Sequence, residues 1–371
     1  MKKFLVTLVI CMFFSGSVFA EENLILNQYN DMEIDSIFSE AYKAFPEFDG
    51  EKIIQMLSQG SAFDSDSIFD ALINYVFKNI RDLTKACILI ITIGYIISII
   101  HATGEAFAGM SAQAAFVVGY CVFAGVIVAV FAEIVSPAKE AVESLVTMIK
   151  AVIPTLLTLI TFSGGIYTSS LMSPVLVSMI NVIAAVLGNF LFSIIMATVA
   201  LSVSDRMSDR INVSTANKSI KQFVRWVLMF CMAIYSGIYG VYGLAGTALD
   251  SRIGKATRFA VGSSVPIVGG VVSDSLEVIL STVSAVKSIT GVVGIIAICA
   301  VAVIPLIRTA LVMWMLRLCA AILEPVSDKR IVQLTGDIAD SVAMIFSILI
   351  SVSLLFIGCI GIILISGNFI S

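Results

Sequence analysis

Residues 151–204 run without one charged side chain, and that fact excludes most water-soluble folds. About 20 consecutive apolar residues let a helix cross a bilayer. This run alone therefore holds two crossings, or one crossing and a piece that enters and leaves by the same face. Further uncharged runs cover 86–104, 110–132, 226–249, 288–307 and 341–371. With 59% hydrophobic and 13% charged residues and a mean hydropathy of +1.04, the chain has more apolar surface than one soluble core can hide. The expected fold is an all-α, polytopic membrane protein with about six transmembrane helices, in a range of about six to eight.

The N-terminus reads as a signal peptide over residues 1–20. Lys2 and Lys3 precede an apolar run at 4–14, and Ser15, Gly16, Ser17, Val18 and Ala20 supply the small side chains of a cleavage site before Glu21. An uncleaved signal anchor is the alternative. Residues 21–83 form an acidic helical segment outside the cytoplasm. Ile34, Ile37, Phe38, Ala41 and Phe45 keep a helical period up to Pro46, and Ser67 with Asp70 resembles a capping box for a further helix. Such short amphipathic helices need a cover, either a partner or the membrane surface.

Charge and cysteine usage remove whole classes of function. The chain carries 22 lysines and arginines against 26 aspartates and glutamates, so it has no electrostatic case for nucleic acid. Cys87, Cys121, Cys231, Cys299, Cys319 and Cys359 all sit in apolar runs, and none has zinc-ligand spacing. The stretch VGSSVPIVGGVVSDS at 261–275 has no lysine to reach a phosphate. At Gly254-Lys255 an alanine, Ala256, stands where Ser or Thr would bind magnesium. No catalytic residue, cofactor site or metal site is expected.

Orientation follows from Arg206, Arg210, Lys218, Lys221 and Arg225, whose clustering marks a cytoplasmic loop. A cleaved signal starts the chain outside. Two crossings within a unit spanning 84–150 return it outside at 133–150, and only one more can occur before Arg206. Residues 154–167 are therefore expected to be re-entrant and 174–203 to cross. Pro154, Gly164 and Gly165 form the broken motif, and Pro266, Gly269 and Gly270 form its counterpart. The triplet Val203-Ser204-Asp205 recurs as Val326-Ser327-Asp328. The order of these features gives a parallel internal repeat, with copies at 151–250 and 251–371.

A few residues stand out as functional candidates. Arg308, Arg317 and Glu324 lie in or beside a membrane stretch, and Asp274 and Glu277 could form an acidic mouth. Against these stand an interfacial helix with solvated charges and a plain helix start. Gly237, Gly240, Gly243 and Gly246 recur every three residues and so offer a close helix crossing. His101 is the single histidine, placed at a membrane interface.

Taken in order, VPIVGGVVSDSLE (265–277), VKSITGVVGII (286–296), IPLIRTAL (304–311) and AAILEPVSDKRI (320–331), with IPTLLTLITFSGG and SPVLVSMIN upstream, resemble the stage III sporulation protein AE family of endospore-forming Firmicutes. The resemblance implies a non-enzymatic membrane component of a secretion-system-like channel complex in the mother-cell membrane around the forespore. It also implies partners: a secretion-type ATPase, small membrane proteins and ring-forming proteins, with the lipid bilayer as solvent. A stand-alone secondary transporter is the competing function, since paired broken helices also build transport sites.

Overall fold

A computed structural model describes residues 83–100, 110–163, 165–207, 214–264 and 269–366. Side chains are described for 83–100, 116–163, 165–205, 214–238, 240–241 and 282–364. The expected signal peptide, the acidic segment up to residue 82, His101, Gly164 and Pro266 lie outside these residues, as do the side chains of Asp274 and Glu277 and the surroundings of Gly243 and Gly246.

The chain is helical throughout the described parts. Helix α1 is Leu83–Ile100. It is followed by α2 (Met110–Phe162), α3 (Ile166–Ile183), a π-helical turn (Ala184–Phe190), α4 (Leu191–Met207), α5 (Ser214–Ser264), α6 (Gly269–Leu323) and α7 (Lys329–Ser366). Five described stretches are long and apolar enough to cross a membrane: Leu83–Ile100, Phe116–Phe162, Ile166–Asp205, Thr282–Leu323 and Lys329–Leu364. The expected crossing at 226–249 lies within α5.

Helix α2 keeps one face against the core through the period of its buried residues. Phe116, Ile127, Ala138, Ile149 and Ile160 are buried at intervals of eleven residues, and Tyr120, Phe131, Val142 and Ile153 repeat the interval, as do Phe123, Ile134, Leu145 and Leu156. Eleven residues make three turns at about 3.67 residues per turn. That value lies so near the α-helical 3.6 that one face stays against the core along the whole helix. Helix α7 follows the same rule: Leu334, Ile345 and Phe356 form one buried line, and Ile338, Leu349 and Ile360 form another.

This packing overrides two expectations. Residues 133–150 are helical and not an irregular loop, because the buried lines of α2 run through them without a gap. Pro137 and Pro154 do not break the helix either. A proline inside a helix removes one i→i−4 bond, and Pro154 stands on the exposed side, where tertiary packing holds the helix from the other face. Pro154, Pro174 and Pro305 are each followed four residues later by a hydroxyl that donates to the proline carbonyl: Thr158 at 2.8 Å, Ser178 at 2.7 Å and Thr309 at 2.8 Å. The chain turns beside Gly165, one of the glycines of the expected broken motif: the Ser163 and Gly165 amides donate to the carbonyls of Leu159 and Ile160. Ser169 of α3 donates back to Leu157 across the turn at 3.1 Å.

Contacts between helices fix their relative depth. A Cβ added at Gly188 would stand 3.5 Å from Val142, so the π-helical turn is level with the middle of α2. One added at Gly294 of α6 would meet Ile360 of α7 at 3.1 Å and Val152 of α2 at 3.3 Å. Tyr235 of α5 donates to the Met179 carbonyl of α3 at 3.1 Å, and Tyr120 of α2 to the Val203 carbonyl of α4 at 2.8 Å. The π turn re-phases the long apolar stretch, so that Ile183, Leu187, Leu191, Ile195 and Val199 stay buried at four-residue spacing. Helix α1 lies at the opposite end from the α2–α3 turn: Gly94 abuts Leu323 and Phe123, and the Cys87 and Cys319 sulfurs are 2.7 Å apart.

Gly294 is thus a point where three helices meet through one missing side chain. Gly294→Leu is expected to cost about 1–3 kcal/mol by overpacking, read as a lower melting temperature of the detergent-solubilised chain. Gly358→Ala, where an added Cβ meets nothing within 4 Å, is expected not to lower it.

Candidate functional site: the charged end of the bundle

Helix ends meet at one end of the bundle and bring charges with them. The last turns of α6 carry Arg317, the first turns of α5 carry Lys218 and Lys221, and α7 begins at Lys329 and presents Asp337 and Asp340. The second VSD triplet builds the corner into α7. The Ser327 amide donates to the Leu323 carbonyl at 2.8 Å, and Asp328 caps α7 by accepting the Arg330 amide at 2.8 Å. The first triplet does different work. Val203, Ser204 and Asp205 continue α4, and the Ser204 hydroxyl donates to the Ala200 carbonyl at 3.0 Å.

Lys221 is the centre of the cluster. Its side chain is 6% exposed, and its ammonium donates to Asp337 Oδ1 at 2.9 Å and to the Asp337 carbonyl at 3.1 Å, with Asp340 at 3.9 Å. A cation so far out of water needs a partner to offset its desolvation. Arg317 pairs with Asp340 at 3.6 Å, but both side chains are about half exposed, so this pair contributes little. Beside them, Asn217 donates to the Ser202 hydroxyl at 2.7 Å, tying α5 to α4. The buried oxygens Asn217 Oδ1 and Ser327 Oγ have no partner within the described chain.

The surface above the cluster is an open groove of about 400 Å³ lined by Lys218, Arg317, Gln333, Gly336, Asp337 and Asp340. It is lined by charges of both signs and an amide. Among the described residues no three His, Cys, Asp or Glu side chains gather as metal ligands would.

The residues singled out in sequence are dispersed. Of the intramembrane charges, Arg317 enters the groove, Arg308 is half-buried further up α6, and Glu324 is exposed just past its end. Gly237 and Gly240 are exposed, and a Cβ at either would meet nothing within 4 Å. Close approach within the described chain occurs instead at Gly94, Gly119, Gly291 and Gly294. Gly165 starts α3, and Gly269 and Gly270 start α6. Asp337 and Asp340 carry no signal in the sequence, because each looks like an ordinary solvated carboxylate until α5 is laid beside α7. Lys287 is equally silent there: it is fully buried in α6, and its ammonium donates at 3.2 Å to the Leu364 carbonyl near the negative C-terminal end of α7.

The sequence profile of the stage III sporulation protein AE family matches residues 48–367. The chain belongs to that family. A relative within it, stage III sporulation protein AE of Bacillus subtilis (strain 168), is 23% identical over 333 residues, covering 90% of this chain and 84% of its own. No solved structure matches the chain. The helical bundle with its charged end is therefore a view of a sporulation membrane protein family, and the matched region includes every described helix.

The Lys221–Asp337 pair gives a sharp test. Asp337→Asn removes the nearer counter-charge of the buried ammonium, leaving Asp340 at 3.9 Å, and is expected to destabilise the protein by about 1–3 kcal/mol, measured by thermal unfolding in detergent. Lys221→Met combined with Asp337→Leu is expected to recover most of that loss, whereas Arg317→Ala should change stability by no more than about 1 kcal/mol.

Proposed function

We propose that this chain is a non-enzymatic membrane component of a secretion-system-like channel complex joining mother cell and forespore, required for sporulation after engulfment. The observation that carries this is the charged end: the bundle gathers charges from α5, α6 and α7 into one groove, which is what a docking platform for a soluble partner requires. Membership of the stage III sporulation protein AE family supplies the setting. In this proposal the groove faces the cytoplasm, as the basic residues around Arg206 to Arg225 favour, and engages a secretion-type ATPase. The acidic segment at 21–83 meets ring-forming proteins on the other side, small membrane proteins flank the bundle, and the whole sits in the mother-cell membrane around the forespore.

A stand-alone transporter would need ionisable or polar groups converging on a cavity at mid-depth. The one fully buried cation of the described spans, Lys287, is instead tied to a helix end.

Affinity purification of the tagged chain from sporulating cells is expected to recover a secretion-type ATPase and ring-forming proteins. Reversing two groove charges, Lys218→Glu with Asp340→Lys, should lower ATPase recovery at least about five-fold while ring-protein recovery persists. Purification of the chain alone, with substrate uptake after reconstitution into liposomes, would overturn the proposal. A cysteine placed at Ser214 should resist impermeant reagents applied from outside the cell.

A further inference from the structure

The face that α1 turns to the core does not stop where α1 begins. Within α1 that face is Leu83, Cys87, Ile90, Gly94 and Ile97, buried or half-buried and spaced alternately by four and three residues. Upstream the same alternation continues through Phe69, Ile73, Val76 and Ile80. Neither proline nor glycine occurs between residues 61 and 93, so nothing in the sequence ends a helix there. Ser67 with Asp70 supplies its start.

Helix α6 carries a matching line. The Cys87 and Cys319 sulfurs are 2.7 Å apart, at a separation of 232 residues, and a Cβ added at Gly94 would meet Leu323. Both contacts run in the same direction along the two chains, so α1 and α6 are parallel. Carried upward at that offset, Val301, Pro305, Arg308 and Val312 of α6 stand level with Phe69, Ile73, Val76 and Ile80. Val312 is 2% and Val301 6% exposed, although both lie above the level at which α1 begins. From Thr282 to Met313 α6 exposes no side chain at all, and a larger share of it is buried than of any other described candidate span. A helix enclosed over that length has protein on every side.

We propose that residues 67–82 form an amphipathic helix continuous with α1, which packs its apolar line along this flank of α6. Connectivity selects this occupant. The segment is joined to α1 at Leu83 and is about 24 Å long at 1.5 Å per residue, enough to pass Val301 without a loop. Asp70, Asn74 and Lys78 fall on another side of the same helix, away from the seam. Arg308 lies on the seam and is half-buried; its apolar stem suits such a place while the guanidinium extends to the polar side. The family match begins at residue 48, ahead of α1, so this stretch belongs to the region shared with the family. The resulting helix, from residue 67 to Ile100, is about 50 Å long. It carries the chain from the level of the charged groove, where α1 begins, toward the opposite end of the bundle. This goes beyond the channel-component proposal and does not rest on it.

The test is disulfide trapping in the full-length chain in isolated membranes, with the native cysteines other than Cys87 and Cys319 replaced by serine. Two introduced pairs read the register: Ile80→Cys with Val312→Cys, and Phe69→Cys with Val301→Cys. Lys78→Cys with Val312→Cys is the control on the polar side. After mild copper-phenanthroline oxidation, mass spectrometry of proteolytic peptides is expected to show both seam pairs linked at least about ten-fold faster than the control. Asn74→Pro should cut the 69/301 link at least about five-fold and leave Cys87 linked to Cys319. Because the two seam pairs are separate variants, a folding failure in one leaves the other decisive. Absence of a seam link where Cys87 and Cys319 do link would overturn the proposal, as would equal linking of the control pair. Links from position 301 or 312 to a second copy of the chain, or to another protein, would overturn the assignment to residues 67–82. A 69/301 link that survives Asn74→Pro would overturn the continuous helix. These links report on the chain alone, so recovery of an ATPase neither makes nor breaks them.

Discussion

Everything in this bundle depends on α2 keeping one face against the core for its whole length. Three turns close on almost eleven residues, so buried side chains recur in straight lines from Phe116 to Ile160. Against that rail α3 and α4 return antiparallel, and α6 and α7 meet it at Val152 through Gly294. The opposite face is left free of packing duty, which is why it can carry carboxylates, hydroxyls and two prolines without loss of the helix. A shorter apolar repeat would have rotated those polar groups into the core.

Polar chemistry is then confined to a few places where geometry compensates it. Lys221 is buried because Asp337 is beside it; Lys287 is buried because the carbonyl end of α7 is beside it. Hydroxyls within the spans bond to carbonyls of their own helix three or four residues back, as Thr290 and Ser353 do, so they ask nothing of the lipid. What remains solvated collects at the charged end and along α2. Among the described residues, those two surfaces have most left to offer a partner or water.

Much of this is legible in the residues alone, and the failures share a cause. The uncharged runs announce an all-helical membrane protein, and the ordered motifs from 265 to 331 point to its family. The expected loop at 133–150 is helical because Glu133, Lys139, Glu140, Glu143 and Lys150, read one by one, signal a break between spans, whereas a helix can carry them on its free face. Their three- and four-residue spacing already places most of them on one helical face. The expected break at Pro154 fails for a related reason, since a proline's cost is local while the packing of α2 is spread over many turns.

The sequence by itself determined that this chain is helical and membrane-embedded, because hydrophobicity and period are local properties that no partner can reverse. It could not determine which charges meet. Lys221 and Asp337 are 116 positions apart, and only the stacking of α5, α6 and α7 sets them 2.9 Å from one another. Nor could it rank the glycines: the regular line at Gly237 and Gly240 faces open space, while Gly294 sits among three helices, a difference that exists only once the helices have chosen their neighbours.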